Sequence, residues 1–245
     1  MKYIFFAVQI ILLLSSCGKD SDGSTDSPSA GAGVGGSLAR FATTSTHLYT
    51  VSTTDLRTYD VSTATNPVYQ SNYHLGFDVE TIFPKGDKLF IGTQTGMRVL
   101  DIKNPDAPKQ ISSFSHIRSC DPVTANDNYA FITLRTGNPC TRGVNELNIL
   151  NISNITNPTL FKTFPMNEPK GLAVDGNNLF VCDGGIKHYD ISNINNIVLK
   201  KKTVIDATDV IAHAGILMVI GNSGLYQYDY TSGELKLLSQ IPVAK

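Results

Sequence analysis

Four charged side chains occupy matching places in successive stretches of this chain: Asp78, Asp121, Lys170 and Asp209. Each stands near the start of an apolar run of strand character. Carboxylates arranged in this way suit three kinds of chemistry. Two of them can act as acid and base, or acid and nucleophile, in glycoside hydrolysis. With histidines they can hold a metal ion, or they can recognise polar groups on a ligand. His74, His116, Arg118 and Glu168 lie just before the same runs, and Asp183 follows a later run. The spacing of these His and Asp residues matches no diagnostic metal pattern, so neither a metal nor any other cofactor is expected. Gly-x-Ser-x-Gly, His-Glu-x-x-His, phosphate-loop and EF-hand patterns are all missing. The chain also has no Trp, the usual platform for stacking a sugar. The balance is against an enzyme. The competing structural account of the charged set is a hydrated rim whose charges pair with one another.

Cys120 and Cys140 carry a second chemistry. In an oxidising compartment they can form a disulfide, closing a loop of about 20 residues and stabilising by roughly 3 kcal/mol in the chain-entropy description. Cys182 is then a free buried thiol. The rival pairing joins Cys140 to Cys182. Cys140 lies in an enlarged segment, residues 137–144.

The elements that position these residues come from a repeat. An apolar strand, an Asp or Asn, one apolar residue and a polar turn recur at Asp60, Asp101, Asn151, Asp190 and Asp229, at intervals of 41, 50, 39 and 39 residues. The long interval contains the Cys140 segment. Three repeats place a proline seven residues after the anchor, at Pro67, Pro108 and Pro158. Within the second repeat, strands are expected over 77–83, 89–93, 97–102 and 108–114, divided by Pro-Lys-Gly-Asp, Gln-Thr-Gly and a Lys-Asn-Pro-Asp-Ala turn. Four strands in about 40 residues make one propeller blade. The fold class expected is all-β, a five-bladed β-propeller of four-stranded repeats over residues 38–245. The recurring Asp reads as the acceptor of a turn, because Asn151 replaces it in one repeat. The charged set then rims one end of the central channel, and the Cys140 loop flanks it.

These phrases resemble the bacterial LVIVD-repeat family. Gly96-Met97-Arg98-Val99-Leu100-Asp101-Ile102-Lys103-Asn104-Pro105, with Pro108, is the closest copy, and Asn151-Ile152-Ser153-Asn154 and Asp190-Ile191-Ser192-Asn193 are partial ones. The last repeat, Tyr230-Thr231-Ser232-Gly233, lacks both prolines. The resemblance implies a propeller exported in bacteria, often as a lipoprotein, and no common activity.

Residues 1–16 read as a signal peptide. Lys2 precedes the mostly apolar run Tyr3–Leu14, which is too short to span a bilayer. Leu14-Ser15-Ser16-Cys17 resembles a lipobox, making Cys17 the lipidated first residue of the mature chain. An ordinary signal peptide with an incidental Cys is the alternative. Residues 17–37, rich in Ser, Gly and Asp, form a tether with a reach of roughly 25 Å. Gly18 is not the Asp that retains enteric lipoproteins at the inner membrane, and Lys19, Asp20 and Asp22 resemble a Bacteroidetes surface-export signal. A net charge of −1 with one short basic run, Lys200–Lys202, argues against nucleic acid as a partner. The expected protein is lipid-anchored in the bacterial envelope, at the outer membrane, and binds a small ligand or an envelope protein through Asp78, Asp121, Lys170, Asp183 and Asp209. The alternatives are a glycan-processing hydrolase using the channel carboxylates and a structural component of an outer-membrane assembly.

Overall fold

A computed structural model describes residues 35–116, 122–137 and 143–243. The signal peptide, Cys17, most of the tether, Cys120, Asp121 and Cys140 lie outside the described residues. Twenty strands form five antiparallel four-stranded sheets, each built from one continuous stretch of chain. Blade one is β1 (Phe41–Thr43), β2 (His47–Val51), β3 (Asp55–Asp60) and β4 (Val68–His74). Blade two is β5 (Val79–Lys85), β6 (Lys88–Thr93), β7 (Gly96–Asp101) and β8 (Lys109–Ser115). Blade three is β9 (Val123–Ala125), β10 (Tyr129–Leu134), β11 (Glu146–Asn151) and β12 (Thr159–Pro165). Blade four is β13 (Leu172–Asp175), β14 (Asn178–Cys182), β15 (Ile186–Asp190) and β16 (Val198–Thr203). Blade five is β17 (Asp209–His213), β18 (Ile216–Gly221), β19 (Gly224–Asp229) and β20 (Lys236–Pro242). The protein is a five-bladed β-propeller. In blade two the outer ends shift by one or two residues from expectation, because β5 begins after the positive-φ Asp78 and β8 after Pro108.

The repeated phrase builds the same local structure five times. The side-chain oxygen of each anchor accepts the N–H two residues on: Ser62 to Asp60, Lys103 to Asp101, Ser153 to Asn151, Ser192 to Asp190 and Thr231 to Asp229, all at 2.7–2.9 Å. One oxygen suffices, so Asn serves as well as Asp. The prolines stand immediately before β4, β8 and β12, the outer strands, where a missing N–H costs no ladder bond. A register shift recurs where the outer strand pairs with the third, at Thr58/Tyr59, Val99/Leu100, Ile149/Leu150, His188/Tyr189 and Gln227/Tyr228. A bulge twists an exposed edge and discourages pairing with another chain. The glycines that open β7 and β19, and the one just before β15, are also forced. A Cβ on Gly185 would lie 2.4 Å from the Thr203 carbonyl oxygen, at a φ of +116°.

Apolar side chains fill the spaces between blades. Tyr49 and Leu56 meet Ile82 and Leu100 between blades one and two, and Phe90 and Val99 meet Ile132 and Leu150 between two and three. Phe131 and Ile149 meet Leu179 and Val181 between three and four, and Phe180 and Ile186 meet Val210 and Leu217 between four and five. Ring closure differs. Among the described residues, no outer strand is exchanged between blades one and five; a short strap, Gly36–Leu38, crosses to blades four and five instead. Ser37 is 1% exposed, so the packed domain begins ahead of the expected boundary at residue 38.

Candidate functional site

At the end of the channel where the innermost strands begin, a cavity of about 490 Å3 opens. Every blade contributes to its wall. Leu38 and Arg40 precede β1, Glu80 and Thr81 lie on β5, and Pro122 and Arg135 flank β9 and β10. Lys170 precedes β13, and Thr208 and Asn222 flank β17 and β18. Three cationic side chains, Arg40, Arg135 and Lys170, therefore share one concavity with the carboxylate of Glu80.

The backbone holds these cations in place. The Lys170 N–H donates to the Cys182 carbonyl at 2.8 Å, and its own carbonyl accepts the Thr133 hydroxyl at 2.6 Å. Blades three and four thereby fix its position, while no carboxylate among the described residues pairs with its ammonium. Arg40 donates through Nη2 to the Val79 carbonyl at 3.4 Å, across the first two blades. Arg135 Nη1 lies 4.0 Å from Glu168 Oε1 at the exposed rim.

The five residues expected to form the site separate into different roles. Lys170 lines the cavity. Asp78 does not; it adopts a left-handed φ of +64°, which Asp tolerates better than most side chains, and its carbonyl accepts the Gln94 N–H at 3.0 Å. Asp121 lies outside the described residues. Asp183 is 0% exposed and fully engaged. It accepts the N–H groups of Asn167 and Glu168 at 3.2 and 2.8 Å and the Lys187 ammonium at 2.5 Å. Burial pushes its carboxyl upward, but Lys187 and the two N–H donors outweigh burial and hold it below the ordinary value. Asp183 ties the segment entering blade four to β15.

Asp209 is also committed. Its Oδ1 accepts the Ser37 hydroxyl at 3.0 Å and the Val210 N–H at 2.9 Å, and its Oδ2 accepts the Leu38 N–H at 3.2 Å. The Ser37 hydroxyl in turn accepts the Leu172 N–H at 2.7 Å. Burial raises the carboxyl of Asp209, and the hydrogen bonds from Leu38, Ser37 and Val210 only partly oppose that rise. Gly36 and Gly171 press against it: a Cβ on either would come within 2.2 or 1.9 Å of a carboxylate oxygen. These two buried aspartates fasten the ring. Among the described residues, no group of three or more His, Cys, Asp or Glu side chains is placed to hold a metal. Cys182 is a free buried thiol, and burial pushes its pKa far up.

Arg40, Glu80 and Arg135 line the cavity and are not among the site residues that the sequence points to. A signal for Arg135 was present. The residue just after each second strand is Ser52, Gln94, Arg135, Asp183 and Asn222, one polar position repeated around the ring. The sequence points to Asp183 there, and the same register in blade three leads to Arg135. Arg40 and Glu80 had no such signal, because the strap's path across the mouth depends on contacts far apart in sequence.

Residues 118–165, which include all of β9 to β12, match the LVIVD repeat. Blade three is thus the stretch of this chain that is similar to an LVIVD repeat. The matched stretch contains Asn151-Ile152-Ser153-Asn154, one of the partial copies of the repeat phrase. No curated protein matches the chain in sequence. Among solved structures, a protein from Lactobacillus plantarum is similar at 13% identity, with a TM-score of 0.63 over 81% of this chain and 69% of that one. A functionally unknown protein from Desulfotomaculum acetoxidans DSM 771 is similar at 16% identity, with a TM-score of 0.61 over 80% and 68%. The periplasmic gluconolactonase of Pseudomonas aeruginosa is similar at 13% identity, with a TM-score of 0.57 over 81% and 68%. At these identities the likeness extends to the propeller fold alone.

Proposed function

We propose that this LVIVD-repeat propeller is a binding module whose channel mouth takes a small anionic ligand bearing a carboxylate or phosphate. The observation that carries the reading is the meeting of Arg40, Arg135 and Lys170 on one cavity of about 490 Å3. That volume suits a small molecule and is too small for a folded partner. Blades set the spacing of the backbone positions that carry the cations, so that part of the site is preorganised. Asp183 and Asp209 already accept N–H, hydroxyl or ammonium donors, so these two carboxylates offer no acid–base pair to a hydrolase at the same mouth. The cell-envelope reading, with lipid on Cys17 and a Cys120–Cys140 bridge, belongs to the same proposal. It rests on the short apolar leader, the Leu-Ser-Ser-Cys phrase and the pairing of two cysteines around an enlarged loop.

Calorimetric titration with a panel of small carboxylates and phosphates tests the site. At least one compound should bind, and Lys170→Ala should weaken it by about 1.5–3 kcal/mol, the worth of a hydrogen bond to a charged group. Affinity should also fall with added salt. Equal affinity in Lys170→Ala and Arg40→Ala, both with wild-type melting curves, would overturn the assignment. Mass analysis of the mature N-terminus tests lipidation, and peptide mapping without reduction tests the disulfide.

A further inference from the structure

Among the described residues, four of the five junctions between blades are filled by buried side chains, and the fifth is not. Between blades one and five, a cavity of about 460 Å3 remains. Phe41 and Ala42 of β1 form one wall, and Ile211 of β17 with Ile220 of β18 forms the other. The apolar character continues outward along a cross-strand row, since Asp209 pairs with Ile220, Ile220 with Leu225 and Leu225 with Ile241. Phe41 is 60% exposed, Ile220 45% and Ile241 66%. By contrast, Val219, next to Ile220 on β18 but facing blade four, is fully buried.

We propose that this seam is a second binding site, distinct from the cationic mouth, for a neutral apolar molecule of aromatic or short-alkyl type. Size limits the occupant first. A further sheet would need about 10 Å of separation from each neighbouring blade. The strap holds blades one and five together at the channel, through Ser37 and Leu38 on Asp209. The cavity that remains is of small-molecule size.

Charge limits the occupant next. Asp209 is the one ionisable side chain on the wall of the seam among the described residues, and it disfavours an anion at the inner end. Its oxygens already accept donors from Ser37, Leu38 and Val210, so a hydrogen-bonding head group gains little there. An uncharged apolar molecule covers Phe41, Ile211 and Ile220 without leaving a polar group unpaired. The seam and the mouth thus select opposite chemistry while sharing only Leu38 and Thr208 as a partition.

The test uses the neutral fluorophore N-phenyl-1-naphthylamine, titrated into the full chain. Saturable binding at one site per chain is expected. Ile220→Glu, which puts a charge in the cleft, and Ile211→Phe, which fills it, should each weaken binding at least tenfold. Lys170→Ala should leave it unchanged, which separates this site from the mouth. Thermal melts establish that each variant is folded, and Ile211→Phe retains an apolar surface if Ile220→Glu does not fold. Absence of saturable binding, or equal binding in Ile211→Phe, would overturn the proposal. So would sedimentation as a dimer from which the fluorophore is excluded, since a second copy would then cover the seam.

Discussion

At the residue scale, chemically similar aspartates have opposite thermodynamic roles, and their surroundings decide which. The turn anchors Asp60, Asp190 and Asp229 accept the hydroxyl and then the N–H of Ser62, Ser192 and Thr231, Asp101 accepts the Lys103 N–H, and all four are held below the ordinary carboxylate value. Their contribution to stability is present above the unfolded value of about 3.9 and is lost as pH falls through the folded value. Asn151 performs the same job without titrating. Asp190→Asn should therefore melt like the wild type at neutral pH, while Asp190→Ala, which loses the acceptor for Ser192, should melt lower. A matching loss in both variants would assign the charge, and not the acceptor, the structural role. Asp209 has the reverse sign. Burial raises its folded value, so the native state holds the proton more tightly than the unfolded chain. Stability from this group is full below about pH 3.9 and declines as pH rises through the raised folded value. Denaturant unfolding of wild type and Asp209→Asn across acid to neutral pH should show the wild type losing ground to the variant in that window. The turn role of the anchors was legible because an Asn substitution in one repeat is visible in the sequence. The burial of Asp209 was not, because its partner Ser37 lies 172 positions away.

Elements show the same division between local and distant causes. Strand order, turn positions and the outer-strand prolines were readable because each depends on residues within one repeat. In sequence the strap resembles the end of a polar tether, since Gly-Gly-Ser carries no apolar pattern to mark it as packed. Its packing comes from geometry at the far end of the chain, where Asp209 and the Leu172 N–H converge on the Ser37 hydroxyl. Ser37→Ala removes one donor to a buried carboxylate and one acceptor for a buried N–H. The expected loss is about 1–3 kcal/mol, the cost of leaving such groups unsatisfied. Truncation of residues 1–34 should leave stability near the wild type, whereas truncation through Leu38 should lower it more than Ser37→Ala does. Urea denaturation of the three proteins checks the order. Equal stability of both truncated chains would mean that the strap does not hold the ring.

For the whole molecule, the question is whether five blades form a uniformly packed ring or four tight junctions and one loose one. Alternation along β18 provides an internal comparison. Leu217 is fully buried and packs into the core shared with blade four, while Ile220, three residues on and therefore on the opposite face, is 45% exposed at the seam. Truncating each to alanine removes a similar volume from the same strand. Leu217→Ala should lower the unfolding free energy by about 2–5 kcal/mol, as a cavity in a filled core does. Ile220→Ala should cost less than about 1 kcal/mol, in the range of surface changes. A ring uniformly closed in solution would penalise both substitutions alike. Repetition in the sequence argued for equivalent junctions, since each blade carries the same phrase. What it did not carry is the pairing of the first blade with the last, whose facing side chains are set by two distant stretches with no common pattern. Urea midpoints for the two variants measure that difference directly, and a cost at Ile220 equal to that at Leu217 would close the seam.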